Sequence, residues 1–429
     1  MPCKFLFVSW EGLIADIAWQ AVKEGHEARL WIQNPEEREI ADGFVPKAAD
    51  WKREVDWADV VVFDDVLGMG TLAEELRGRG KPVVGGSAYT DRLEDDRAFG
   101  QQELRSAGIS IIPHENFTSF DDALAYVQSN PNRYVIKPSG EAQNIKRLLF
   151  VGEEEDGRDV IQVLQDYKRF WSDKVKEFQL QRRILGVEVA VGAFFNGKEF
   201  VTPICVNFEH KKLFPGDIGP ATGEMGTSMF WSEPNRLFNA TLKKVEPKLA
   251  EARYTGYIDI NCIVNNNGIY PLEFTSRFGY PAISIQQEGL LTPIGELLRE
   301  LAAGSTNRLR ARSGFQIGVR IVVPPFPYND PETLESTSKN SVILFKTPSR
   351  EGLHIEDVKS VDGEWLVTGT SGVVLIVCGT GPTMKQAQRQ AYNRVRNVMI
   401  PHMYYRDDIG ERWTEDSDRL HAWGYLREA

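Results

Sequence analysis

Apolar positions open the chain. Lys4–Ser9 (KFLFVS) is almost unbroken in hydrophobicity and reads as a buried strand. Gly12 leads into a helical period over Leu13–Lys23, and Ala28–Ile32 is again strand-like. Val60–Asp65 (VVVFDD) is a third strand, followed by a helix near Thr71–Arg79 and a short apolar run at Val83–Gly86. This alternation predicts a small parallel sheet with helices on its faces. Asp91–Ala107 reads as one helix, with Gly108 as its stop.

Beyond residue 110 strands dominate. Tyr134–Lys137 (YVIK) is an apolar strand ending in a cation. Gln179–Leu185 and Val187–Phe195 alternate, and Asn196-Gly197 marks a hairpin. Gly256–Val264 and Ile269–Phe274 form a second pair joined by a polar turn, and residues 291–302 read as an amphipathic helix. The Pro-rich stretch PPFPYNDP (324–331) is a candidate boundary. Short strands at 341–345, 353–355, 364–368 and 372–378 follow, then a periodic helix over Met384–Val398. The expected organisation is an α/β unit over 1–112, an α+β unit over 113–322 with a small lid at about 113–178, and a mostly β unit over 323–429 that closes with a helix.

Composition narrows the class without changing that picture. A length of 429 residues suits about three domains, and 42% apolar with 26% charged residues is ordinary for a globular enzyme. The net charge of −11 works against broad phosphate-backbone binding, so nucleic acid is not an expected partner. Cys3, Cys205, Cys262 and Cys378 lack metal-ligand or disulfide spacing. The segment MPCKFLFVSW has no signal-peptide pattern, and the longest apolar run, Val373–Cys378, is too short to span a bilayer. Together these predict a cytoplasmic protein without a membrane partner.

The chemistry concentrates in a few segments. In residues 256–275, Asp259 and Asn261 share one strand face, as do Glu273, on the second strand, and Thr275 two residues further on. A hairpin brings both pairs to one spot, and such oxygen donors suit magnesium, which takes one or two carboxylates and completes its shell with phosphate and water. Alternation alone fits a solvated outer face equally well. Arg277 is a candidate for neutralising phosphate charge or for a surface ion pair. Lys137, before Pro138, Ser139 and Gly140, can reach phosphates from its strand end. The loop Gly216–Gly226 (GDIGPATGEMG) has four glycines in eleven residues and exposes amide donors, but it fits neither the P-loop nor the dinucleotide fingerprint. His210 has no second histidine at ligand spacing.

In order, these segments resemble the ATP-grasp family of glycinamide ribonucleotide synthetase (phosphoribosylamine–glycine ligase). The likeness rests on EHKKLFPGDIGPATGEMG (209–226), PLEFTSRFGYP (271–281) and YYRDDIG (404–410), with weaker support from LEDDRAFGQQEL (93–104) and YVIKPSGEA (134–142). It spans about residues 90–412. It implies an ATP-grasp fold behind an N-terminal parallel βαβ domain. It also implies an ADP-forming C–N ligase of purine biosynthesis that joins an amino acid, glycine, to an amine through an acyl phosphate. ATP and Mg2+ (or Mn2+) are the implied cofactors, small acids and amines the partners, and a monomer or homodimer the assembly. Glu273 is the implied metal ligand, helped by Asp259, Asn261 and Thr275. ATP is implied at Arg97, Lys137, Lys146, Gln181, Arg183, Ile184 and Glu188. Arg277 and Lys211 are implied catalytic residues, and the substrates fall to Glu209, His210, Gly219, Thr222, Gly223, Glu224, Met225 and Gly226.

The chain departs from the family pattern in places. Thr275 stands where the family has a metal-binding asparagine, and Arg97 where it has a lysine. AQNIKRLLF (142–150) replaces a glycine-rich phosphate loop. VSWEGLIADIAW (8–19) lacks the family's arginine and histidine, while Glu11 and Asp16 add negative charge. Two alternatives follow: a related ligase for another amine, such as a modified nucleotide or metabolite, or a non-catalytic nucleotide-binding relative.

Overall fold

The computed structural model describes residues 2–427 apart from 141, 143, 144, 146 and 147. Strands β1 (Lys4–Ser9), β2 (Glu27–Ile32), β3 (Val60–Phe63) and β4 (Val83–Val84) form a sheet in the order β2-β1-β3-β4, parallel throughout. Phe5, Leu6, Phe7, Val60, Val61 and Val62 are buried, because helices cover both faces and leave no solvated side for polar residues.

The single helix expected over Asp91–Ala107 is two, Ala88–Asp95 and Arg97–Ser106. Asp96 adopts extended backbone (φ −106°, ψ 92°), and its carboxylate accepts from the Phe99 amide. It thus ends one helix and caps the next.

A small sheet follows, made of β5 (His114–Phe117), β6 (Tyr134–Pro138), β7 (Phe150–Val151) and β8 (Phe178–Arg182), antiparallel in the order β5-β8-β6-β7. The helices Phe120–Ser129 and Arg158–Phe170 close its own core of Phe120, Ile136, Val160, Leu164 and Phe178.

The remaining strands are β9 (Val187–Asn196), β10 (Phe200–Glu209), β11 (Lys212–Phe214), β12 (Ile218–Ala221), β13 (Gly226–Ser232), β14 (Thr255–Asn265), β15 (Gly268–Thr275) and β16 (Phe315–Val322). After them come β17 (Leu344–Phe345), β18 (Leu353–Ile355), β19 (Val358–Val361), β20 (Glu364–Val367), β21 (Val373–Gly381) and β22 (Val398–Met399). Eight build one sheet in the order β15-β14-β9-β10-β13-β16-β21-β18. Strands before and after the Pro-rich segment 324–331 therefore share a sheet and its core.

Asp16 does not add charge to the N-terminal turn. It is 3% exposed and lies against β18, where one carboxylate oxygen meets His354 Nδ1 at 2.7 Å and the other accepts the Ile355 amide at 3.1 Å. His354 Nε2 faces Glu288 at 3.2 Å. Burial disfavours charge on His354, yet Asp16 holds its pKa well above the usual histidine value. The ion pair locks the first helix, Ala15–Lys23, to the later strands.

Candidate active site

The β14–β15 hairpin has Asp259 opposite Thr275 and Asn261 opposite Glu273. Directly opposed residues share a face, so the four expected donors stand together at the sheet edge. Glu209, on β10, joins them: Asn261 Nδ2 donates to its carboxylate at 3.5 Å. Asp259 is 2% exposed, and its Oδ1 has no partner among the described residues. Burial, then Glu209, holds its pKa well above the ordinary carboxylate value, while the Thr275 hydroxyl opposes this. Glu273 reaches toward solvent, with 60% of its side chain exposed.

Cations converge on Glu273. Desolvation raises its pKa, but Lys211, Lys137, Arg97 and Arg277 outweigh that and lower it. Lys211 Nζ lies 2.8 Å from Glu188, 3.2 Å from Glu209 and 4.0 Å from Glu273. Despite desolvation, Glu209, Glu188 and Glu273 hold the Lys211 pKa well above its usual value, so it stays charged. Lys137 is the opposite case. Desolvation pushes it down to about 8, with Arg97 and Lys211 adding repulsion against the pull of Glu273. Arg97 donates to the Pro138 carbonyl at 2.9 Å, which ties the helix Arg97–Ser106 to the end of β6. A recess of about 250 Å³ opens there, lined by Glu94, Arg97, Gln101, Leu272 and Glu273 among others.

Among the described residues, no group of three or more His, Cys, Asp or Glu side chains is placed to hold a metal unaided. The donor set still fits magnesium delivered with phosphates, which needs only one or two protein carboxylates. Glu273 and the unpartnered Asp259 Oδ1 are the carboxylate oxygens on that face that would supply them.

The glycine-rich loop is braced from the C-terminal region. Arg406, fully buried, donates to the Lys212 carbonyl and to Asp217, each at 2.9 Å, and also pairs with Asp408. Arg412 reaches Asp217 at 3.0 Å and the Glu209 carbonyl at 2.9 Å. Gly219 needs its residue type: φ is +82°, and a Cβ there would lie 2.4 Å from the Phe214 ring. Thr222 donates twice to the Lys211 carbonyl. Glu224 is buried with Oε1 unpartnered among the described residues, and burial and Glu209 keep its pKa well above normal. Gly223 is exposed, and Gly226 begins β13, its carbonyl accepting from the His210 amide at 2.9 Å. The Met225 side chain packs with Leu213, Val322 and Val373, and its backbone is already paired, the amide donating to the His210 carbonyl and the carbonyl accepting from the Arg320 amide. His210 is buried with both ring nitrogens unpartnered among the described residues, and burial, with Arg412 and Arg406, pushes it down to about 3.

Two domain models of phosphoribosylglycinamide synthetase match the chain: the ATP-grasp (A) domain over residues 95–283 and the C domain over 331–412. Together they take in more than half of it. The chain belongs to the ATP-grasp family. Curated relatives of this ATP-grasp chain include the phosphoribosylamine–glycine ligases of Lactococcus lactis, 25% identical over 77% of this chain and 78% of that one, and of Halalkalibacterium halodurans, 25% identical over 80% and 79%. The crystal structure of phosphoribosylamine–glycine ligase from Thermotoga maritima has the same fold, with a TM-score of 0.70 at 22% identity over 95% of this chain and 100% of that one. The biotin carboxylase subunit of pyruvate carboxylase shares it too, with a TM-score of 0.59 at 13% identity over 99% and 97%.

The other expected ATP-grasp contacts lie on the small sheet and on β9. Gln181 is buried on β8 with Nε2 unpartnered among the described residues. Ile184 is half-buried just beyond that strand. Arg183 turns to Glu153 at 2.5 Å and to the Gly152 carbonyl at 2.8 Å. Lys146 lies outside the described residues. Sequence reasoning missed Glu94, which accepts from Arg277 at 3.1 Å and from the Ser276 amide at 2.8 Å. It also missed Asp65, 3.8 Å from Arg277. The signal for Glu94 was there: it sits inside LEDDR, a segment read only for Arg97.

Proposed function

We propose that this chain is an ATP- and magnesium-dependent carboxylate–amine ligase, with glycine as the acid, as the names of its curated relatives suggest. Magnesium-ATP supplies the phosphoryl group that turns the carboxylate into an acyl phosphate, which an amine then attacks to give an amide and phosphate. The supporting observation is the Glu273 cluster, where carboxylates for a divalent ion share a face with cations suited to phosphate oxygens. Glu273, Asp259 and Asn261 would hold the metal, and Glu188 would border the nucleotide. Lys137, Lys211 and Arg97 neutralise charge that develops in transfer, and the Gly219–Gly226 loop, held by Arg406 and Arg412, places the acid.

The test is phosphate release from MgATP across a panel of amino acids and amines. The expected result is amine-dependent phosphate release with glycine. Nucleotide binding without release in any combination would leave the non-catalytic reading, and loss of both would remove the nucleotide reading as well.

A further inference from the structure

The amine end of the crevice carries its own chemistry. β1 and β3 are adjacent and parallel, and the crevice beyond the carboxyl ends of such strands is where open parallel sheets bind ligands. Arg277, four residues after Glu273, reaches Asp65, and the Tyr280 hydroxyl reaches the Asp64 carbonyl at 3.5 Å.

The turn from β1 into the helix Ala15–Lys23 has the form of an anion cradle, with amides converging ahead of a helix start. Here the protein's own carboxylate fills it. Asp64, at 0% exposure, accepts from the Trp10 amide at 3.3 Å and also from the Ser9 hydroxyl and the Ile14 amide. The Gly12 amide, at φ +89°, turns inward to donate to Ser9 Oγ at 2.6 Å. An incoming phosphate would have to displace a fully buried side chain to reach these donors.

The surrounding charge points the same way. Glu11 is exposed, close enough to Asp65 and Glu37 for mutual repulsion to be felt. Glu37 is 4% exposed. One of its oxygens takes the Thr370 hydroxyl, while Oε2 is buried with no partner among the described residues. Such an oxygen lacks a donor, and an ammonium supplies up to three. Arg277, the cation nearest Asp65, is shared with Glu94.

We propose that this crevice receives a cationic amine that carries no phosphate, with Glu37 and Glu11 as its specificity-determining carboxylates. The inference rests on the ligase reading for the chemistry that follows binding, but the recognition itself is testable without turnover.

The experiment is calorimetry on the full chain with putrescine, with ribose 5-phosphate and, separately, with MgATP. Putrescine should bind the wild type. Its affinity should fall about tenfold in Glu37→Gln and in Glu11→Gln, the scale of one lost charge-assisted hydrogen bond. Ribose 5-phosphate should give no heat at millimolar concentration. Binding of ribose 5-phosphate to the wild type, absence of putrescine binding, or putrescine affinity unchanged from wild type in both variants would each overturn the proposal. Glu11 is exposed, so its variant reads the site even where Glu37→Gln disturbs the fold. Loss of MgATP binding with putrescine binding intact would instead sink the ligase reading alone.

Discussion

At the β14–β15 hairpin, Lys211, Lys137, Arg97 and Arg277 together pull the Glu273 pKa below its ordinary value. At the carboxyl ends of β1 and β3, burial and Asp65 push Glu11 up, and burial, against the pull of Thr370, pushes Glu37 up. The two regions share Arg277, yet Glu273 is held charged in the first while Glu11 and Glu37 are penalised for charge in the second. A cluster that must meet phosphates and a divalent ion needs fixed charges of both signs. A pocket that must meet an ammonium gains from carboxylates left without partners. The contrast teaches that the hairpin surrounds its exposed carboxylate with fixed cations, whereas the N-terminal turn closes around Asp64.

The sharpest way to break the comparison is Glu273→Gln. The side chain is well exposed, so the fold should survive, while magnesium-dependent turnover should fall on the order of 100-fold, as for other charge-positioning groups. Phosphate release at limiting magnesium measures this. Wild-type rates there would take Glu273 out of the site and dissolve the contrast.

The next effect is a pH dependence. With its pKa near 8, Lys137 is charged at neutral pH and loses its proton as pH rises through 8. Free-enzyme kcat/KM for ATP should therefore fall above pH 8, by about tenfold per unit once the lysine is neutral. Lys137→Arg should flatten that limb, since a guanidinium stays protonated. An unchanged alkaline limb in the variant would assign the titration to another group.

The hairpin was legible because β periodicity is strict. Asp259, Asn261, Glu273 and Thr275 fall on one face by counting in twos, and the register places them in two opposed pairs. Much of the N-terminal sheet was legible for a related reason, since its apolar runs leave little choice of element. The helix break at Asp96 was not seen. The apolar period continues across it, and only the cap geometry separates the halves. The fates of Asp16 and Asp64 could not be read at all. Asp16 meets His354 across 338 residues, and Asp64 meets Ser9 across 55, so local pattern carries no trace of either partner. Asp16 read as an acidic position in the N-terminal turn, and Asp64 only as the end of a strand. One is neutralised by a histidine and the other is sunk into backbone amides. Lys211 was marked by resemblance alone, because its three carboxylate partners lie on three different strands.

The smallest effect tests the Asp64 plug through stability. Burial, reinforced by Asp65, raises its pKa from 3.8 to about 7, despite the donors from Ser9, Trp10 and Ile14. A carboxyl whose folded pKa lies above its unfolded value binds its proton more tightly when folded. Its stabilising contribution is complete below pH 3.8 and is lost as pH rises through 7. Between pH 6 and 8 the unfolded chain holds almost no proton at this position, so the folded protein should lose roughly 1 kcal/mol from this group. Denaturant unfolding at the two pH values measures the loss, and Asp64→Asn should shrink it, because an amide does not titrate. His354 titrates with the same sign and is present in both proteins, so the difference between wild type and variant, rather than either slope alone, isolates Asp64. An identical slope in both would mean that Asp64 stays ionised at neutral pH. The turn would then carry a full negative charge, making it still less hospitable to phosphate, and the contrast between the two ends of the crevice would be wider than burial alone implies.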